Sequence, residues 1–193
     1  MEKFKKAIES FDLANSQDPN KEIWEGRGYP KELLYAQRMT QWLERLAPNA
    51  SEALRLAVRA QHLCRWMIPR NQYHMNRAGY LKWRTTLYEF HAQKTGKILA
   101  EVGYTQPMIQ RVQELLRQKE IKSDPEMQLL EDVICLVFLE SYFDNFLKKH
   151  EKEKVISIVN KTWKKMSPQA QTAALCLNLP SQARALIEKA ITI

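Results

Sequence analysis

The chain has 193 residues, 45% of them apolar and 27% charged, with 30 Lys and Arg against 22 Asp and Glu, a net charge of +8. That length suits one domain, or one domain with an extension, and the composition excludes wholesale disorder. Only 5 glycines are present and no GxGxxG or P-loop string occurs; turn signals at short regular spacing are also missing. A dinucleotide fold, a P-loop enzyme and a β-sandwich or barrel are thereby excluded, and the expectation is an all-α protein.

Phe4, Ile8, Phe11 and Leu13 predict a short amphipathic helix ending near Asn15, which Asp18-Pro19-Asn20 breaks. Residues 21–29, with Gly26 and Gly28, read as a loop. Pro30 suits a first helical turn, and Leu33, Leu34, Met39, Trp42, Leu43 and Leu46 carry that helix towards Pro48. Ser51 and Glu52 open a helix expected to run to Met67 and stop before Pro69. The polar and aromatic stretch 68–77 has no period and reads as a loop covering a site. A long helix follows over 78–102, closed by Gly103, and Thr105 with Pro107 starts another that ends near Lys119. Asp124-Pro125-Glu126 supplies an acid at the N-cap and proline at the first position, opening the most apolar helix of the chain, 125–147. Helices at 152–165, 168–175 and 181–191 complete a single domain over 1–193, divided into an arm (1–29), a helical core (30–148) and C-terminal helices (149–193).

Cys64, Cys135 and Cys176 are widely spaced and form no CxxC pair, so a zinc knuckle and a thioredoxin motif are excluded and buried free thiols in a reducing cytosol are expected. The first residues, MEKFKKAIESFDLAN, hold no apolar stretch of signal-peptide length, and the longest apolar run, Val133 to Leu139, is too short to span a bilayer. A cytoplasmic chain without a membrane partner is the expectation.

Charge is concentrated. From Arg38 to Arg84 eight arginines and one lysine stand against Glu44 and Glu52, while the cations elsewhere are mostly lysine. Arginine presents a planar fork that grips phosphate or carboxylate with two hydrogen bonds. The window reads as an anion site, with a basic solvated face as the alternative.

His62 and His91 sit inside apolar-periodic segments, and Glu131 and Asp132 are adjacent acids in the most apolar helix. Buried acids need partners. A divalent metal held by His62, His91 and Asp132 would supply one; a salt bridge to Arg59 or Arg65 would supply another. Each histidine read alone is a hydrogen-bonded core residue.

The stretch FHAQKTGKILAEVGY, followed by RVQELLRQKEIKSDPEMQLLEDVICLVFLE, resembles the second half of the HD-superfamily metal-dependent phosphohydrolases. That likeness implies an HD-like multi-helix bundle, and it places His91 and Asp132 on two metal-ligand positions and His62 on the histidine of the His-Asp doublet. Position 63 is Leu where that pattern has Asp, and the 32–39 helix offers Glu32 and Tyr35 where it has a further His, so the implied site is degenerate. Over nearly the whole chain, DPN, ELLYAQRMT, VRAQHLCRW, IPR, GYLKWR, FHA, DPEMQLLEDVICLVFLE and KTWKKMS resemble a family catalogued as a domain of unknown function, DUF4202.

Two functions follow as expectations. One is a phosphohydrolase-like enzyme acting on a phosphate ester or nucleotide. There a divalent ion (Mn, Fe, Zn, Ni, Co or Mg) would sit on His62, His91 and Asp132, with Glu131 or Glu32 as general base. Arg59, Arg65, Arg70 and Arg84 would clamp phosphate, and Trp66, Tyr80 and Trp83 would stack a base. The other is a non-catalytic nucleotide- or RNA-binding module that uses the same arginines and aromatics. A third role, protein interaction, would make His62, His91 and Asp132 a buried polar network.

Overall fold

The computed structural model describes residues 2–118 and 124–191. Among them are ten α-helices and one two-stranded hairpin, in two compact units, residues 1–120 and 121–193. The segment expected as one core, 30–148, is therefore shared between the two units.

In the first unit, α1 (Glu2–Ser16) is no peripheral arm. Its Ala7 and Phe11 are fully buried, and it packs on α3 and α4. The expected loop at 21–29 is instead an antiparallel hairpin, β1 (Lys21–Trp24) and β2 (Arg27–Pro30). Its turn places Glu25 at φ 49° and Gly26 at φ 75°, the paired left-handed conformation that matches strand twist. Glu rarely occupies that conformation, so the turn carries no strong sequence signal. Glu22 pairs with Arg38 and ties the hairpin to α2 (Lys31–Leu46).

α3 covers only Glu52–Ala60, not the expected 51–67. Cys64 adopts a left-handed φ of 54°, and its backbone N–H donates to Asn15 Oδ1 at 2.9 Å. A contact 49 residues distant thus bends the chain where the apolar period continues. Single 3-10 turns follow at Arg65–Met67 and Arg70–Gln72. α4 (Arg77–Val102) begins with Asn76 Oδ1 accepting from Gly79 N–H. A Cβ at Gly79 would overlap the His74 carbonyl, so the loop closes tightly on the helix start. α5 (Gln106–Arg117) lies along α4 and also against α3. The expected end of α5 at Lys119 lies outside the described residues.

In the second unit, α6 covers Pro125–Val137, with Asp124 accepting from the N–H groups of Glu126 and Met127 as expected. The expected continuous helix to 147 is interrupted. Phe138–Tyr142 widens into a π-helical turn before α7 (Phe143–Leu147), and Phe138 meets Phe143 and Phe146 edge-on. α8 (Lys152–Trp163), α9 (Pro168–Leu175) and α10 (Ser181–Ile191) follow, with α8 packed on α10 and α9 on α6. Of the three free thiols, Cys64 and Cys135 are buried as expected, whereas Cys176, at the C-terminal end of α9, is exposed. Among the described residues no helix is long and apolar enough to cross a membrane.

Candidate functional site

The expected site residues separate into two groups. Glu32, Arg59, His62, Arg65, Trp66, Arg70, Tyr80, Trp83, Arg84 and His91 belong to the first unit, and Glu131 and Asp132 to the second.

Within the second unit both acids are committed to the α8–α9 connection. Asp132, 3% exposed, accepts from Ser167 N–H (2.8 Å), Ser167 Oγ–H (2.6 Å) and Gln128 Nε2–H (3.0 Å). Ser167 in turn caps α9 by accepting from Ala170 N–H. Glu131 pairs with Lys165 at 3.0 Å. Within their own unit the buried acids are therefore satisfied, and they hold that unit together.

Arg59 is likewise structural. It is 8% exposed, and its Nε and Nη2 donate to the two oxygens of Asp12 at 2.7 and 2.6 Å. Its Nη1 donates to Thr40 Oγ1 at 3.1 Å. Arg70 donates to the carbonyls of Tyr73, His74 and Asn76 and so shapes the 70–76 loop. Trp83 is 9% exposed; its Nε1–H donates to Ile68 O at 2.8 Å, and its ring lies under Arg65 at 4.8 Å. Trp83 is an anchor, not an open stacking face. Trp66 is half-buried in the first 3-10 turn. Tyr80, 43% exposed, has the guanidinium groups of Arg70 and Arg84 each 6.0 Å from its ring centre, and that of Arg84 also donates to Tyr88 Oη.

The remaining residues converge on His62. α2 brings Glu32 on its first turn, held by its backbone: Asp18 Oδ2 accepts from its N–H, and its carbonyl accepts from Asn15 Nδ2. The bend after α3 brings His62 opposite, with Nδ1 3.0 Å from Glu32 Oε2. Tyr35 stacks on the imidazole at 3.9 Å and 14°. Arg65 Nη1 lies 2.5 Å from Nε2. A guanidinium only donates, so Nε2 holds the lone pair and the proton sits on Nδ1, donated to the Glu32 carboxylate. His91, from α4, completes the group with its ring centroid 5.9 Å from that of His62; its Nε2 is buried without a hydrogen-bond partner.

Burial, then the charges of Arg65, Lys31 and Arg84, hold the His62 imidazole well below its ordinary range. Burial, then His62 and Arg65, does the same to His91. Both rings are neutral near pH 7, so the Glu32–His62 contact is a hydrogen bond and not an ion pair. Burial lifts the Glu32 carboxyl, opposed by Arg65 and Lys31. Both histidines are neutral when folded and take up protons below pH 6.5 when unfolded, so stability is present above that pH and falls beneath it. The expected loss in the first unit is about 1.4 kcal/mol per pH unit for each histidine. Urea denaturation of the wild type and of His91→Phe between pH 7.5 and 5 checks this: the substitution should flatten the slope by one proton.

These donors do not fit the expected metal centre. Both His62 nitrogens are hydrogen-bonded, Asp132 is taken up by Ser167 and Gln128, and among the described residues no group of three or more His, Cys, Asp or Glu side chains could hold a metal ion.

What sequence reasoning missed here is the role of Lys31, Tyr35 and Asn15. Lys31 and Tyr35 flank Glu32 on one helix, and Asn15 reaches the site only through tertiary packing. Residues 5–187 match the family model described as Domain of unknown function (DUF4202). No curated protein and no solved structure matches the chain.

Proposed function

The chain belongs to the family described as Domain of unknown function (DUF4202), and from the side chains around His62 we propose that it binds a small phosphate-bearing ligand, a nucleotide. Arg65, Arg84 and Lys31 take the phosphate, and Tyr80 offers the surface for the base.

The observation that carries this reading is a local charge imbalance. Three cations, from the start of α2, the 3-10 turn and α4, act on His62, while the carboxylate bonded to it is Glu32. Among the described residues none of the three is ion-paired with a carboxylate, whereas Arg38, Arg59 and Arg117 all are. Residues 53–88 hold seven cations and no Asp or Glu, a field that favours anions. Stacking on an exposed tyrosine adds about 1–3 kcal/mol per base.

Calorimetric titration with AMP, ADP and ATP in EDTA tests the reading. Arg65→Ala and Arg84→Ala should each weaken binding about tenfold or more, a loss of about 1.4 kcal/mol. Arg38→Ala should leave it unchanged. No binding by the wild type, or binding by both variants as tight as that of the wild type, removes the reading. A single-stranded oligoribonucleotide that binds more tightly, with a steep salt dependence, moves it from nucleotide to RNA.

A further inference from the structure

Glu32 and His62 have more order than an anion site requires. The carboxylate side chain is 9% exposed and the imidazole 16%, so the pair runs from a buried acid to a partly open base. Tyr35 fixes the ring plane, and Asp18 and Asn15 fix the Glu32 backbone. The hydrogen bonds place the imidazole proton on Nδ1 towards Glu32 and direct the basic Nε2 towards Arg65. A carboxylate behind an imidazole whose lone-pair nitrogen accepts from a phosphate-binding cation is the arrangement a general base needs once that cation turns to phosphate.

We propose that Glu32 and His62 form an acid–base pair that activates water against the phosphorus of a phosphate ester held by Arg65, Arg84 and Lys31, without a metal ion. The proposal rests on the anion-binding reading above. A water oxygen forms a bond to phosphorus and its proton passes to His62 Nε2. The bond from phosphorus to the ester oxygen breaks, and that oxygen takes the proton back from the imidazolium, giving an alcohol and phosphate. Glu32 is a positioning residue: it holds the tautomer and stabilises the imidazolium.

Arg65 links binding to chemistry. It donates to the neutral Nε2 here, and a phosphate dianion is the stronger acceptor for a guanidinium. Turning one flexible side chain towards phosphate frees Nε2 for water. The same dianion offsets the positive charge of Arg65, Lys31 and Arg84, so His62 becomes more basic once the ester is bound.

The full chain, dialysed against EDTA, is assayed with p-nitrophenyl phosphate, bis(p-nitrophenyl) phosphate, AMP, ADP and ATP. His62→Gln and Glu32→Gln are assayed beside it, with nucleotide affinity and thermal unfolding measured on the same samples. The expected result is EDTA-resistant turnover that falls about 100-fold or more in His62→Gln with affinity retained. In Glu32→Gln, kcat should fall with KM unchanged, and the pH profile should shift. His62→Asn serves if His62→Gln does not fold. Nucleotide binding without EDTA-resistant turnover overturns this proposal and leaves the anion-binding reading standing. Turnover that survives both His62 substitutions also overturns it, and absence of both binding and turnover overturns the two together.

Discussion

Arg59→Ala is expected to lower the stability of the first unit by about 3 kcal/mol, the cost of leaving one member of a desolvated charge pair alone. The guanidinium spans both oxygens of Asp12 on α1 and reaches Thr40 on α2, so one side chain of α3 fastens two other helices. Asp12 keeps 31% of its side chain exposed, which lets water soften the loss and places the figure at the low end of the range. Arg59→Lys should recover less than half of it, because an ammonium lacks the two-pronged geometry. Urea denaturation gives the number directly. A cost below about 1 kcal/mol would put the pair among ordinary surface ion pairs and remove it as the fastening of α1. Nucleotide affinity should not change, in contrast to Arg65→Ala and Arg84→Ala.

Asp132→Ala should destabilise the second unit by about 3 kcal/mol, since it strands the Ser167 N–H, the Ser167 hydroxyl and a Gln128 N–H. Asp132→Asn keeps one carbonyl oxygen and should lose about half as much. A metal ligand behaves differently: its loss would leave apo stability unchanged and abolish metal-dependent stabilisation. Thermal unfolding of both variants in EDTA and with added Mn separates the two roles. Stability equal to wild type in EDTA would contradict the capping role of Asp132.

Much of the helical framework was legible in the residues. Asp124-Pro125, Ser167-Pro168 and Gly103 marked helix ends because caps and proline act within one turn. The 21–30 hairpin was not legible, because its turn uses Glu25 where Asn or Gly would have announced it. The end of α3 was also hidden, because the apolar period runs on through Leu63 while Asn15, far away in sequence, bends the chain at Cys64. His62 and His91, named together as candidate metal ligands, have neighbouring rings, and Glu32 was named, though not as the hydrogen-bond partner of His62. Trp83 and Arg70 looked like ligand groups in sequence and proved to be anchors of their own loop.

The sequence by itself determined the all-α class, most helix boundaries, the family and the concentration of arginine between 38 and 84. All of these depend on neighbours along the chain, on periodicity or on matching strings. Only the tertiary structure decided what each buried charge does. Arg59 meets Asp12 across 47 residues, His62 meets Glu32 across 30, and Asp132 meets Ser167 across 35. Burial requires that such groups be satisfied, and this much can be read from an acid in an apolar helix. Which partner satisfies it depends on the register in which the helices pack, and the helical period does not encode that register.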